Sequence, residues 1–486
     1  MKHIEFLDET MRDGQQSLWG LRMQAGMALP VSPLIDKTGF CVIDLTGGGM
    51  LEVLTRYCQE NYFEGLDLLV ASMPRTPVRA GLRANANVTF GVTPDAMMDL
   101  WVRRLCAHGV RSFWIYDVLF NIDKVLRLAK VAKESKAQVA GAIMFALSPV
   151  HTDEYYADKA GQLSASPDVD TILLYDTAGV LEKERLKTLL PGIVANARGK
   201  KIEFHSNNLL GMSAKAYLDA IELGVSVLHT ASRPMANGPS VPSTEVMAGN
   251  VELKGYSHGL DKSLFKPVAD HFEAVGKAAG FLVNQYAEYD IFSIEHQIPG
   301  GMMGTFKAQL AQHKMTDRLG DVLQETARVR KELGYPGMAT PFSQLVGIQA
   351  VLNIVTGQRY GTVPDEVVQY AAGYYGKTVA PIDPDVLDKI MSSARAKDVL
   401  AKPPEQPTLE DLKKRYGTDD EDELILRANI PEADIAKMRA AGSVKRSYPL
   451  LSSPELERVR QMMKLTSVPV IEVASAAMTV SLKRSR

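Results

Sequence analysis

The sequence predicts a (β/α)8 TIM barrel followed by a mostly helical C-terminal domain. Three observations lead there: eight short β-type apolar runs recur at helix-length spacing, polar residues cluster at the ends of those runs, and the rhythm stops beyond about residue 260. Eight parallel βα units argue for a closed barrel over an open sheet.

The expected strands are Ile4–Leu7, Phe40–Leu45, Val78–Arg83, Ser112–Tyr116, Gln138–Met144, Thr171–Leu174, Lys201–Phe204 and Ser226–Leu228. Leu68–Ala71 competes with Val78–Arg83 for the third place. Asp8 and Asp13 follow the first strand, Asp44 ends the second, Arg83 the third and Asp117 the fourth, while Asp176 follows the sixth and His205 ends the seventh. Barrel sites are built at the carboxyl ends of strands, so these side chains are expected to meet at one mouth. Helix formers dominate in Met315–Leu333 and Pro364–Tyr374. Prolines and dense charge from Ala401 onward mark a linker, with a hinge near Lys402–Gln406, leading to a further small helical segment. The expected domains are 1–300 for the barrel, 301–400 for a helical domain completing its mouth, and 401–486 for the linker and final segment, whose tail from Val468 carries no functional signal.

Composition excludes several classes. Hydrophobic residues make up 46% and charged residues 23% of the 486, enough for a large core and against disorder. A net charge of −2 gives no positive field to attract nucleic acid, so a small-molecule substrate is expected. Cys41, Cys58 and Cys106 are far apart and form no CxxC pair, which fits a reducing cytoplasm. No apolar run reaches the length of a membrane span and the N-terminus lacks a signal core, so a cytoplasmic, unprocessed protein is expected.

The densest chemistry is in DETMRDGQQS, Asp8 to Ser17. Asp13 offers a hard oxygen to a divalent cation, and Arg12 beside it suits a carboxylate or an enolate oxygen. Gly47, Gly48 and Gly49 suit close backbone approach to a ligand; a phosphate cradle is weaker, because no GxGxxG or P-loop spacing follows.

DETMRDGQQSLWGLRM resembles the DTTLRDAHQSLLATRM opening of the carboxyltransferase domains of pyruvate carboxylase, transcarboxylase and oxaloacetate decarboxylase. LRANANVTFGVTPD from Leu82 resembles LRGANAVGYTNYPD without a gap, LLYDTAGVL from Leu173 resembles CIKDMAGLL, and FHSNNLLGMS from Phe204 stands where HTHDTSG is expected. EHQIPGGMMGT from Glu295, TPFSQLVG from Thr340, GYYGKTVAP from Gly373 and GTDDEDELILRANIPE from Gly417 continue the match in order over roughly the first 440 residues.

The resemblance implies an enzyme acting on a small 2-oxo or related carboxylic acid through an enolate. Arg83 would grip the carboxylate, and Arg12 and Gln16 would stabilise enolate charge. Gln15, at a usual histidine, and Asp117 would help line the pocket. The implied metal would be held by Asp13 and His205, with Asn207, in place of a second histidine, as a weaker third ligand and Tyr175 in place of a carbamate-forming lysine. A tight zinc or manganese site is therefore not expected, and a weakly held magnesium or manganese ion is the most this set supports. Tyr175 then becomes a candidate proton donor beside Asp176.

The features that would receive biotin are altered. Pro239 stands at a proton-shuttling threonine and Phe90 at a tyrosine, and no MKM-type biotinylation motif occurs; on the substrate side, Trp114 stands at an arginine. Covalent biotin is not expected, and chemistry independent of biotin is. A homodimer or higher oligomer and a separate biotin-carrier subunit are the partners the resemblance implies. The competing expectation is a non-catalytic structural or regulatory paralogue.

Overall fold

The computed structural model describes residues 2–299, 306, 310–311, 314–449, 470–474 and 479–483. Eight parallel strands close into a barrel: β1 (Glu5–Asp8), β2 (Val42–Gly47), β3 (Val78–Arg83), β4 (Ser112–Tyr116), β5 (Gln138–Met144), β6 (Thr171–Asp176), β7 (Lys201–Ser206) and β8 (Val227–Thr230). β1 pairs with both β2 and β8, which shuts the ring.

β3, β4 and β5 fall where the apolar runs place them. β6, β7 and β8 run two residues further than expected, so Asp176 and His205 are strand residues rather than loop residues. Leu68–Ala71 lies inside the helix Tyr62–Ser72, which resolves the competition for the third strand.

The barrel interior carries buried charge as well as aliphatic layers. Arg79 of β3 and Glu203 of β7 pair through two bonds of 2.6 and 3.1 Å, and Ser112 and Thr171 complete their hydrogen bonding. Each charge is thus neutralised where an unpaired one would cost several kcal/mol.

Helices follow the barrel. Among them are Leu319–Glu332, Phe342–Thr356 and Asp365–Ala371, and the helical part is bonded to loops at the barrel's mouth. Arg330 donates to the Leu147 carbonyl at 3.0 Å, Asn85 to that of Tyr375 at 2.9 Å, and the Tyr375 hydroxyl to that of Phe90 at 2.9 Å. Residues 401–408 connect to a short three-helix segment, Leu409–Tyr416, Glu421–Asn429 and Glu432–Ala440. The tail contains two paired antiparallel strands, Val470–Ala474 and Thr479–Lys483, which the sequence reading did not anticipate. The expected boundary at residues 300–301 and part of the EHQIPGGMMGT segment lie outside the described residues. Among the described residues, no helix is long and apolar enough to cross a membrane.

Candidate active site

The site begins where β1 ends. Asp8 accepts from the Thr10 amide and hydroxyl at 3.2 and 2.7 Å, folding the chain into a wide helical turn, Thr10–Gly14. Gly14 is needed there, since a Cβ would come within 2.9 Å of the Met235 carbonyl. The turn carries Arg12 and Asp13 inward, both buried.

Arg12 lies among acids. Its guanidinium is 2.9 Å from Glu9, 3.1 Å from Asp44 and 3.7 Å from Asp13, and it donates to the Tyr175 hydroxyl at 3.3 and 3.4 Å. Burial opposes its charge, but Glu9, Tyr175, Asp44 and Asp13 together outweigh that and hold its pKa well above the ordinary value. Burial likewise opposes the Glu9 carboxylate, and the charges of Arg12 and His205 outweigh it and hold Glu9 low.

An aromatic stack crosses the mouth. Trp114 lies between Tyr116 and Tyr175, at ring separations of 4.9 and 4.8 Å, and Tyr175 in turn stacks on His205 at 4.0 Å. Gly81 makes room for the indole: a Cβ there would lie 2.7 Å from it. Trp114 Nε1 donates to Asp44 at 2.8 Å, and the Arg12 guanidinium sits 5.1 Å over its ring.

Above these residues is a cavity of about 400 Å³. Arg12, Asp13, Gln16, Arg83, Tyr175 and Asn207, all named from the sequence, line it, and His205 lies just beneath, fully buried. Three other expected residues do not reach it. Gln15 braces the Met11 carbonyl and the Met23 amide at 2.6 and 3.1 Å. Asp117 accepts from the amides of Leu119 and Asn121 at 2.9 and 3.1 Å. Asp176 accepts from the amides of Val180 and Leu181 and from Ser206, at 3.2, 2.9 and 3.0 Å. These side chains satisfy loop backbone instead of facing the mouth.

Arg83 differs from Arg12. Among the described residues no carboxylate lies within salt-bridge distance of it; Nη2 donates to the Asn87 carbonyl, and Nη1 is buried without a partner. Burial lowers its pKa, and Tyr116 and Glu52 oppose this without reversing it.

Sequence reasoning missed Glu9, His229 and Asn87, and it missed the lining from the helical part, Thr340, Ser343 and Gln344. For Glu203 and His205 a signal existed: polar residues two apart on one strand share a face, here the inner one.

The metal implied by the resemblance can be tested against these residues. His205 Nε2 is buried, lacks a hydrogen-bond partner and lies 3.7 Å from Asp13 Oδ1, so this pair suits an ion. The other two positions do not. Asn207 turns its Nδ2 toward Asp13 at 3.0 Å and toward the Pro239 carbonyl at 2.9 Å, and Tyr175 covers the face of His205. Glu9, His205 and His229 also lie close together, but His229 is bonded through Nδ1 to Glu9 at 2.8 Å and through Nε2 to Glu203 at 3.0 Å. Neither of its nitrogens is open. The residues do not fit a four-ligand transition-metal centre, and they offer magnesium or manganese only Asp13 and His205.

A closed eight-stranded barrel with its charged cavity at the carboxyl ends of the strands, roofed by a helical segment, defines a TIM-barrel enzyme class. Comparison with known proteins narrows this. A conserved carboxylase domain matches residues 294–463. The pyruvate carboxylase B-subunit of Methanocaldococcus jannaschii is 32% identical over 484 residues, covering 97% of this chain and 82% of that protein. Its counterpart in Methanothermobacter thermautotrophicus is 34% identical over 399 residues, covering 82% and 70%. The carboxyl transferase domain of Rhizobium etli pyruvate carboxylase has the same fold, with a TM-score of 0.80 at 21% identity, over 91% of this chain and 77% of that one. The chain belongs to the carboxyltransferase family of the pyruvate carboxylase B-subunits.

Proposed function

We propose that this chain is an enzyme that binds a small 2-oxo or related carboxylic acid and works through its enolate, with no biotin attached to itself and none required. The observation that carries this is Arg83, a guanidinium without a carboxylate partner among the described residues, facing the cavity. Its planar fork suits a carboxylate with two parallel bonds.

With the acid held there, Arg12 supplies fixed positive charge where the enolate oxygen develops, and Gln16 a second hydrogen bond. The Tyr175 hydroxyl is pushed well above its ordinary pKa, chiefly by burial, so it is neutral and holds a proton at the cavity, and the facing Arg12 offsets part of the cost of giving that proton up. A phenolate formed there would face Arg12. Pro239 supports independence from biotin, because the neighbouring hydroxyls are engaged: Ser240 donates to Asp13 at 3.1 Å, and Ser243 caps the helix Thr244–Leu253. The B-subunit names of the relatives support partner subunits. A cytoplasmic homodimer or higher oligomer completes the reading.

Proton NMR in deuterated water tests it, following pyruvate and a panel of dicarboxylic acids with and without added biotin. The wild type should exchange or convert at least one acid without biotin, and Arg83→Ala should slow this by about one to three orders of magnitude. Turnover only with biotin would defeat the biotin-independent reading. An inert wild type under both conditions would favour a non-catalytic paralogue, a reading to which the Tyr175 stack over His205 lends support.

A further inference from the structure

Among the described residues, the charged side chains lining the cavity are Arg12, Asp13, Glu52 and Arg83. Arg12 is answered by Glu9, Asp44 and Asp13, whereas Glu52 has no part in the chemistry given above. It stands in the second turn of the helix Gly48–Tyr57, whose first turn, Gly48 to Met50, lines the same cavity. Its side chain keeps 30% of its surface exposed, so a ligand in the cavity can reach the carboxylate.

Side-chain bonds hold Glu52 in place and offset only part of its charge. Arg56, one turn further on, donates to Glu52 Oε1, and an acid four residues before its base is the favourable order on a helix. Arg56 Nε also donates to Asp434 at 3.2 Å, and Lys437 donates to Asp434 at 3.1 Å. Of these four groups, Glu52 is the one that lines the cavity. It is paired with Arg56 rather than with Arg83, yet it is one of the two groups whose charge opposes the lowering of the Arg83 pKa. The cavity therefore presents a positive and a negative group that feel each other without being joined.

We propose that Glu52 is a specificity-determining residue that ranks 2-oxo acids by the charge of their far end, cationic above neutral and neutral above anionic, so that monocarboxylic acids are preferred to dicarboxylic ones. This rests on the carboxylate-binding role of Arg83 given above. An acid held at Arg83 by its first carboxylate brings its other end into the field of Glu52. A second carboxylate there meets like charge, an ammonium meets opposite charge, and an alkyl end is indifferent. Walls of low dielectric make such a field stronger than it would be in water. Arg56 weakens the field, but it is shared with Asp434. Arg12 does not reverse the ranking, because the acids around it already meet its charge.

Calorimetric titration of the full chain tests this with 2-oxoglutarate, its uncharged near-isostere 5-methyl-2-oxohexanoate, and the cationic 5-trimethylammonio-2-oxopentanoate. The wild type should bind 2-oxoglutarate the most weakly of these. Affinities are read as ratios to the uncharged acid, so that any change at Arg83 common to all of them cancels. In Glu52→Gln, which keeps the shape and removes the charge, 2-oxoglutarate should gain about 3- to 30-fold on the uncharged acid, and the cationic acid should lose by a similar factor. Arg56→Gln, which takes away the cation that offsets Glu52, should move both ratios the opposite way. Thermal melting establishes that each variant is folded, and the Arg56 variant decides the matter if the Glu52 one is not. Tightest binding of 2-oxoglutarate by the wild type, or ratios in the folded variants that stay within about twofold of the wild type or move in the wrong sense, overturns the proposal. If the acids bind, and Arg83→Ala abolishes that binding, but the ratios do not move, only the role of Glu52 fails. If no acid binds, or Arg83→Ala binds them all as well as the wild type, the functional reading fails and this inference with it.

Discussion

Arg12 and Arg83 lie in one cavity and have opposite surroundings. Arg12 is held by Glu9 and Asp44 and touches Tyr175, whereas Arg83 has one backbone carbonyl and an unmatched nitrogen. The first is neutralised by the acids around it, and the second has no counter-charge within salt-bridge distance among the described residues. Metal content follows from the residues around Arg12: after dialysis, elemental analysis should find well below one zinc or manganese ion per chain, and a value near one would contradict this reading of the site. The double variant Tyr175→Lys, Asn207→His, which restores the ligand types the resemblance implies, should retain more metal than the wild type. Arg12 and Asp13 were legible because they follow a strand whose apolar run is clear, and Arg83 because it lies in the segment LRANANVTFGVTPD that carries the family resemblance, its own strand being contested by Leu68–Ala71. Gln15, Asp117 and Asp176 obeyed the same rule and turned to loop amides instead, since spacing along the chain does not reveal which way a strand-end side chain finds its hydrogen bonds. Glu9 and Asn87 were not legible because what defines them lies across the barrel: His205 and His229 for the first, the glycine turn for the second.

Strands were easier to read than their ends. The apolar run of β7 stops at Phe204, but its ladder continues through His205 and Ser206, which pair with Tyr175 and Asp176 of β6. Main-chain pairing is indifferent to side-chain polarity, so the barrel carries its chemistry on residues that hydropathy assigns to loops. The docking of Glu421–Asn429 on the barrel helix Asp95–Ala107 was invisible in the sequence because it is made by single charges. Arg104 donates to Asp422 at 2.7 and 3.0 Å, and His108 bridges Asp422 and Asp67 at 3.0 and 2.6 Å. The hydrogen bond that His108 donates to Asp422 raises the His108 pKa above its ordinary value. The folded state therefore holds the proton more tightly than the unfolded one. This stabilisation is complete below about pH 6.5 and is lost as pH rises through the raised folded value. Urea denaturation at pH 6 and pH 8.5 should show the wild type losing about 1 kcal/mol or less from this source, because solvent screens a pair near the surface. Asp422→Asn should lose correspondingly less over the same interval. Equal losses in both proteins would mean that His108 does not titrate against Asp422.

The cavity belongs to two parts of the molecule. Arg83, Gln16 and Asn207 come from the barrel, while Thr340, Ser343 and Gln344 come from the helical part above it. Bonds from Arg330 to Leu147, from Asn85 to Tyr375 and from Tyr375 to Phe90 tie that part to the loops after β3 and β5. An acid bound against Arg83 would thus be enclosed by both, and unfolding either one would release it. A ligand that binds only the complete cavity stabilises everything the cavity depends on, by about 2.7 kcal/mol at 100 times its dissociation constant. For a chain of 486 residues this corresponds to a rise in Tm of roughly 2–3 °C, smaller per kcal/mol than in a small domain because the unfolding entropy grows with length. Scanning calorimetry with saturating pyruvate should show the barrel and the helical part moving up together in the wild type. Arg83→Ala should show no shift, because its cavity has the same walls but lacks the group that holds the acid. If two transitions separate and pyruvate moves only the barrel's, then the helical part does not complete the binding site, and Ser343 and Gln344 are neighbours of the cavity without being part of its function.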